Sequence, residues 1–186
     1  MPWTGCETGG MAHAHEHPHE HDPLCDVAHG EAGPGGEERT LVAVFASPVA
    51  GVLLRFAAET GYRTLLLEPD QSRSLPGVKA VAAPDEQFDA TADVVVTDHH
   101  RDEIGEVLRQ VLAFPVRWVG IMGSPRHQGP HVQALADLGV PPAEIARVHR
   151  PIGLNIGSRT PPEIAIATLA GLIADRNARP GGFDFG

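Results

Sequence analysis

The chain has 186 residues, 42% of them hydrophobic, and a formal charge of -10, which leaves room for one packed domain and a tail. Eight of its 24 acids fall in residues 1–40 against Arg39, so the remainder is nearly neutral, with scattered arginines and Lys79 as the only lysine. That distribution argues against nucleic-acid binding, which needs a basic face, and no apolar run approaches the roughly 18 residues of a membrane span.

Residues 1–40 are rich in Gly, Pro, Glu and His and show neither helical nor strand periodicity, the signature of a disordered tail. The tail holds both cysteines, Cys6 and Cys25, and no basic-then-apolar leader, so the expectation is a cytoplasmic chain without a signal peptide. Within it His13, His15, His17, His19 and His21 alternate strictly. Imidazole clusters take up Ni or Zn, which makes these five residues candidate metal ligands. The other reading is a solubilising tail with incidental metal affinity, since a disordered segment has no preformed site.

From Leu41 the pattern changes to short apolar runs alternating with amphipathic stretches. Leu41 to Ala46 reads as a buried strand, and Val49, Val52, Leu53, Phe56 and Ala57 then share one helical face that ends at Gly61. Strands follow at Thr64 to Glu68, weakly at Val78 to Ala82, and at Val94 to Thr97. Ile104, Val107, Leu108, Val111 and Leu112 repeat the helical spacing, Trp118 to Met122 is a further strand, and Val132, Leu135 and Ala136 mark a helix stopped by Gly139. The last helix, Pro161 to Asn177, is apolar nearly all round, which predicts burial between layers. Alternating strands and helices predict a Rossmann-like, doubly wound α/β domain over residues 41–178, its mainly parallel sheet covered by helices on both faces. Residues 179–186 read as a flexible C-terminus.

Ligands of such sheets bind outside the carboxyl ends of the strands. The first loop, Phe45-Ala46-Ser47-Pro48, stands where a dinucleotide fold carries G-x-G-x-x-G, and Phe45 and Ser47 replace its first two glycines. Ser47 fits better as a helix N-cap followed by Pro48 at the first helical position. Glu68, at the end of the second strand, stands where a ribose-binding acid belongs. Asp98 and His99 close the Val94–Thr97 strand; His99 could contact a ligand or move a proton, and Asp98 could instead cap the next helix. Gly123, Ser124 and Arg126 combine close backbone approach, a helix cap and a phosphate partner. Gly153, Gly157, Arg159 and Thr160 form the densest loop, and Thr160-Pro-Pro-Glu163 is a capping box. No nucleophile lies near His99 in sequence, so no catalytic residues are assigned. Glu68 and the fold motivate an NAD(P)-dependent oxidoreductase as an alternative, against which the missing glycines stand; a further alternative is a metal-binding or scaffold accessory protein that uses the His-rich tail.

Three blocks carry a more specific signal: Trp118-Val-Gly-Ile-Met-Gly-Ser-Pro-Arg126, Ile145-Ala-Arg-Val-His-Arg-Pro-Ile-Gly-Leu-Asn-Ile-Gly-Ser-Arg-Thr-Pro-Pro-Glu-Ile164, and Arg176-Asn177. With their separation they resemble the Rossmann domain of the XdhC/CoxI family, accessory proteins of molybdenum hydroxylases such as xanthine dehydrogenase, over about Leu41 to Asn177. The resemblance implies binding of molybdenum cofactor (molybdopterin), help with its sulfuration, and delivery to the apo-enzyme. The implied partners are a molybdenum hydroxylase apo-enzyme and a cofactor sulfurase, and a homodimer is one possible assembly. On this view Gly123, Ser124, Arg126, Gly153, Gly157, Arg159 and Thr160 line the phosphate and pterin site. The chain departs from the family in two places. Its first domain is replaced by the His-rich tail, and its G-A-G-H-V loop reads Phe45-Ala46-Ser47-Pro48-Val49.

Overall fold

A computed structural model describes residues 38–123 and 129–181. The five tail histidines, Ser124, Arg126 and residues 182–186 lie outside the described residues. Six parallel strands form one sheet: β1 (Thr40–Val44), β2 (Arg63–Leu67), β3 (Ala80–Val81), β4 (Ala92–Val96), β5 (Trp118–Ile121) and β6 (Val148–His149). Their spatial order, β3-β2-β1-β4-β5-β6, is that of a dinucleotide-binding fold, and it reverses direction between β1 and β4. The helices are α1 (Pro48–Glu59), α2 (Ile104–Leu112), α3 (Pro130–Asp137), α4 (Pro142–Ile145) and α5 (Pro161–Arg176).

All five residues of β1 and of β4 are buried, as expected of central parallel strands covered on both faces. Successive side chains alternate between two cores. Val42 and Val44 join the face covered by Val107, Leu108 and Val111 of α2. Leu41 and Ala43 join the face covered by Leu53 and Leu54 of α1 with Leu169 and Leu172 of α5.

Several expectations about helix ends hold. Ser47 Oγ accepts from the Ala50 N–H at 3.0 Å. Gly61 and Gly139 end their helices at φ of +83° and +74°, where glycine escapes the Cβ penalty. Others need correction. The cap of α2 falls on Glu103, while Asp98 Oδ1 accepts from the His100 N–H at 3.0 Å in a local turn. The cap position of α3 belongs to Gly129, and the Ser124 cap reading lies outside the described residues. α5 is not buried all round: it packs on α1 through Ala165, Leu169 and Leu172, but Ile166 is 51% exposed. The short elements β6 and α4 escape the sequence pattern because two and four residues are too few to show a period.

At the amino-terminal ends of the strands, a charge cluster closes the sheet. Asp93 is fully buried on β4; Arg117 Nε donates to it at 2.6 Å and Arg117 Nη1 bonds Asp175 of α5 at 2.6 Å. Arg39 lies 3.9 Å from both acids. These groups sit opposite the ligand-binding edge and tie α5 to β4 and to the start of β5.

Candidate functional site

The strand ends divide into three groups of residues. The first sits at the switch point. Phe45 is fully buried and adopts φ +69°, the left-handed region that a glycine would fill at no cost. The loop keeps the turn of a glycine-rich loop without the glycine. Four of its backbone donors are used inside the protein. Phe45 N–H goes to the Leu67 carbonyl at 2.9 Å, Ala46 N–H to Glu68 Oε2 at 2.8 Å, Ala50 N–H to Ser47 Oγ, and Gly51 N–H to the Ser47 carbonyl at 3.2 Å. Pro48 has no N–H to offer. Ser47 Oγ also bonds Thr97 Oγ1 at 2.9 Å, and Thr97 donates toward the Val44 and Phe45 carbonyls at the end of β1. A pyrophosphate needs the donors that these contacts use.

Glu68 stands where the ribose-binding acid was expected, at the end of β2, but its side chain turns inward and is 0% exposed. Arg101, from the loop after β4, grips it bidentately at 3.2 and 3.1 Å.

The second group sits at the ends of β4, β5 and β6. His99 hydrogen-bonds the backbone of Met122, and its ring lies 4.1 Å from that of His100. Burial, then His100 and Arg150, push the His99 imidazole below its ordinary pKa, so it is held neutral. A Cβ on Gly123 would stand 2.6 Å from Nη2 and 2.8 Å from Nε of Arg150. The bare glycine is what lets the guanidinium lie across this strand end. At Gly129 an added Cβ would meet the His131 ring and, at 2.9 Å, Arg150 Cδ. His131 is 4% exposed, and burial with Arg150 also pushes its pKa down. An arginine beside two imidazoles whose neutral forms are favoured suits a phosphate and the hydrogen-bonding edge of a heterocycle. A groove of about 620 Å³ runs from this cluster between α3, α4 and β6, walled by Val132, Ala136, Ile145 and Val148.

The third group is the loop before α5. Its four candidates serve different ends. Gly153, at φ +85°, lies against the backbone of α5, where a Cβ would fall 3.1 Å from the Ala167 carbonyl carbon, and Leu154 N–H bonds the Ala167 carbonyl at 3.0 Å. It is a packing glycine. Gly157, at φ +71°, has nothing within 4 Å of an added Cβ and makes an open turn. Thr160 forms the predicted capping box, and Glu163 Oε2 accepts from the N–H groups of Arg159 at 2.6 Å and Thr160 at 3.1 Å. A carboxylate of the chain thus holds the helix start that an anionic ligand would have used. Those two backbone hydrogen bonds hold the Glu163 carboxyl below its ordinary value. This cap is therefore formed at neutral pH and is lost as pH falls through that lowered value. Thr160→Ala is expected to cost about 1 kcal/mol, read as a lower midpoint in chemical denaturation. The Arg159 guanidinium is exposed and makes no ion pair among the described residues.

Arg101, Arg150, Thr97 and His131 emerge here and not from the sequence pattern. Arg150 would have been visible had Val148–His149 been read as a strand, because it is the first residue beyond it. Among the described residues, no group of three or more His, Cys, Asp or Glu could hold a metal, and no helix is long and apolar enough to cross a membrane.

The pattern of the XdhC Rossmann domain matches residues 41–172 of this chain. The chain belongs to that family. Among proteins similar to this XdhC domain, YqeB of Escherichia coli strain K12, itself uncharacterised, is 34% identical over 113 residues. The aligned segment is 60% of this chain and 20% of YqeB. A xanthine dehydrogenase from Bacillus halodurans superposes with a TM-score of 0.59 at 23% identity, over 80% of this chain and 45% of that one. At that identity the likeness is one of fold. The XdhC domain thus spans about a fifth and under half of these relatives' lengths.

Proposed function

We infer that this XdhC domain is an accessory protein of a molybdenum hydroxylase of the xanthine dehydrogenase type, and that it holds molybdenum cofactor for sulfuration and insertion into the apo-enzyme. The observation that carries the reading is the family membership of residues 41–172. The cluster at the ends of β4, β5 and β6 supports it: the absence of a side chain at Gly123 lets the Arg150 guanidinium lie against the end of β5, beside His99 and His131. Arg150 and Gly123 would hold the phosphate, and His99, kept neutral, would hydrogen-bond the pterin edge. A guanidinium carries five N–H donors, enough for a phosphate beside another partner. The cofactor supplies the redox-active molybdenum of the hydroxylase. The domain supplies position and shelter from water. Arg159, exposed at the start of α5, would serve the rim of the site or the surface offered to the apo-enzyme or a sulfurase.

Titration of the purified chain with molybdenum cofactor and with its cytidine dinucleotide form, followed by fluorescence, tests this. Saturable binding is expected, weakened about tenfold by Arg150→Ala on the usual worth of a charged hydrogen bond, and less by Arg159→Ala. No saturable binding of either form would refute the reading. The alternative of an NAD(P)-dependent oxidoreductase meets a first loop that lacks the glycines and already uses the Phe45, Ala46, Ala50 and Gly51 N–H groups. Millimolar NADH or NADPH is therefore expected to leave the melting curve unchanged, and a saturable shift would favour the oxidoreductase.

A further inference from the structure

The Glu68–Arg101 pair is the most completely bonded charged group at the ligand-binding edge, and nothing in the cofactor reading uses it. Glu68 Oε2 receives the Ala46 N–H at 2.8 Å and Arg101 Nη1 at 3.2 Å; Oε1 receives the Asp70 N–H at 3.0 Å and Arg101 Nη2 at 3.1 Å. The donors come from three separate strand ends, those of β1, β2 and β4. Arg101 is steadied by Glu103, through Nε at 3.3 Å and Nη2 at 3.0 Å, and its Cζ lies 4.6 Å from the centroid of the Phe45 ring. Glu68 is 0% and Arg101 9% exposed.

Two backbone N–H groups and a bidentate guanidinium around one carboxylate are the recognition set of an anion-binding site. This set lies at the switch point, where the fold seats its ligands. We propose that the crevice between β1 and β4 is an anion site whose occupant is the chain's own Glu68. The carboxylate fills the seat in the place of an external anion. The seat keeps its donors and its cation, so removing the Glu68 side chain opens it to small carboxylates such as formate and acetate. The proposal is independent of which cofactor binds elsewhere on the domain.

The test compares the full-length chain with Glu68→Ala in thermal unfolding, in sodium formate and in sodium chloride at equal ionic strength. Wild type is expected to melt at the same temperature in both salts. Glu68→Ala is expected to melt several degrees higher in formate, saturably, and the double variant Glu68→Ala/Arg101→Met is expected to lose the difference. If Glu68→Ala is recovered only unfolded, it is refolded from urea in each salt; folded protein in formate alone supports the proposal. Equal melting or equal failure to refold in the two salts overturns it, as does a formate response that survives loss of Arg101.

Discussion

Replacement of Arg117 by methionine is expected to lower the unfolding free energy by about 3 kcal/mol at neutral pH, because it strips the nearest cation from a fully buried carboxylate. Among the described residues, Asp93 would then keep Arg39 alone as a cation, at 3.9 Å. Burial already pushes the Asp93 carboxyl above its ordinary value, against the pull of Arg117 and Arg39, and Asp175 adds to the rise. An acid raised in the folded state binds more protons folded than unfolded, so its contribution to stability falls as pH rises from the ordinary value through the folded one. Without Arg117 that folded value rises further. The deficit of the variant against wild type is therefore expected to be small near about pH 4 and complete at neutral pH. Urea denaturation at both pH values measures it. A deficit that does not change with pH would mean that Arg117 acts through packing and not through charge. The double variant Asp93→Leu/Arg117→Met should recover most of the loss, because no buried charge is left without a partner.

The second large effect concerns the loop before α5. Gly153→Ala is expected to cost about 2–3 kcal/mol, from the penalty for a left-handed residue plus contact with a helix backbone that cannot yield. Gly157→Ala, at a similar φ but with nothing nearby, should lose about 1–2 kcal/mol from the backbone penalty alone. Both are read by denaturant midpoints. Hydrogen exchange at the Leu154 amide, which bonds the Ala167 carbonyl, should accelerate in Gly153→Ala and stay unchanged in Gly157→Ala. Equal losses at the two sites would mean that the approach to α5 contributes nothing.

This contrast marks the boundary of what is legible in the sequence. The long elements were legible because their apolar periods are strong: Ile104 to Leu112 places five apolar side chains on one buried face, and the β1 and β4 runs bury every residue. The Thr160–Glu163 box was legible because both partners are local in sequence. The site was less so. Its glycines look alike in a string of letters, yet Gly123 admits an arginine, Gly153 admits a helix and Gly157 admits only a turn. Glu68 stood at the right strand end, but its role depends on Arg101, 33 residues away. No local pattern encodes that distance. Arg150 was hidden because it follows a strand of two residues, too short to alternate.

The brevity of β6 has a counterpart at the opposite edge of the sheet, where β3 also has two residues. A strand of that length offers an incoming chain almost no ladder to extend, which is how many sheet proteins keep themselves from sticking edge to edge. A partner of this domain thus gains little by adding a strand of its own. Recognition is left to side chains on helix flanks and strand-end loops, where a single substitution can change the partner without disturbing the sheet.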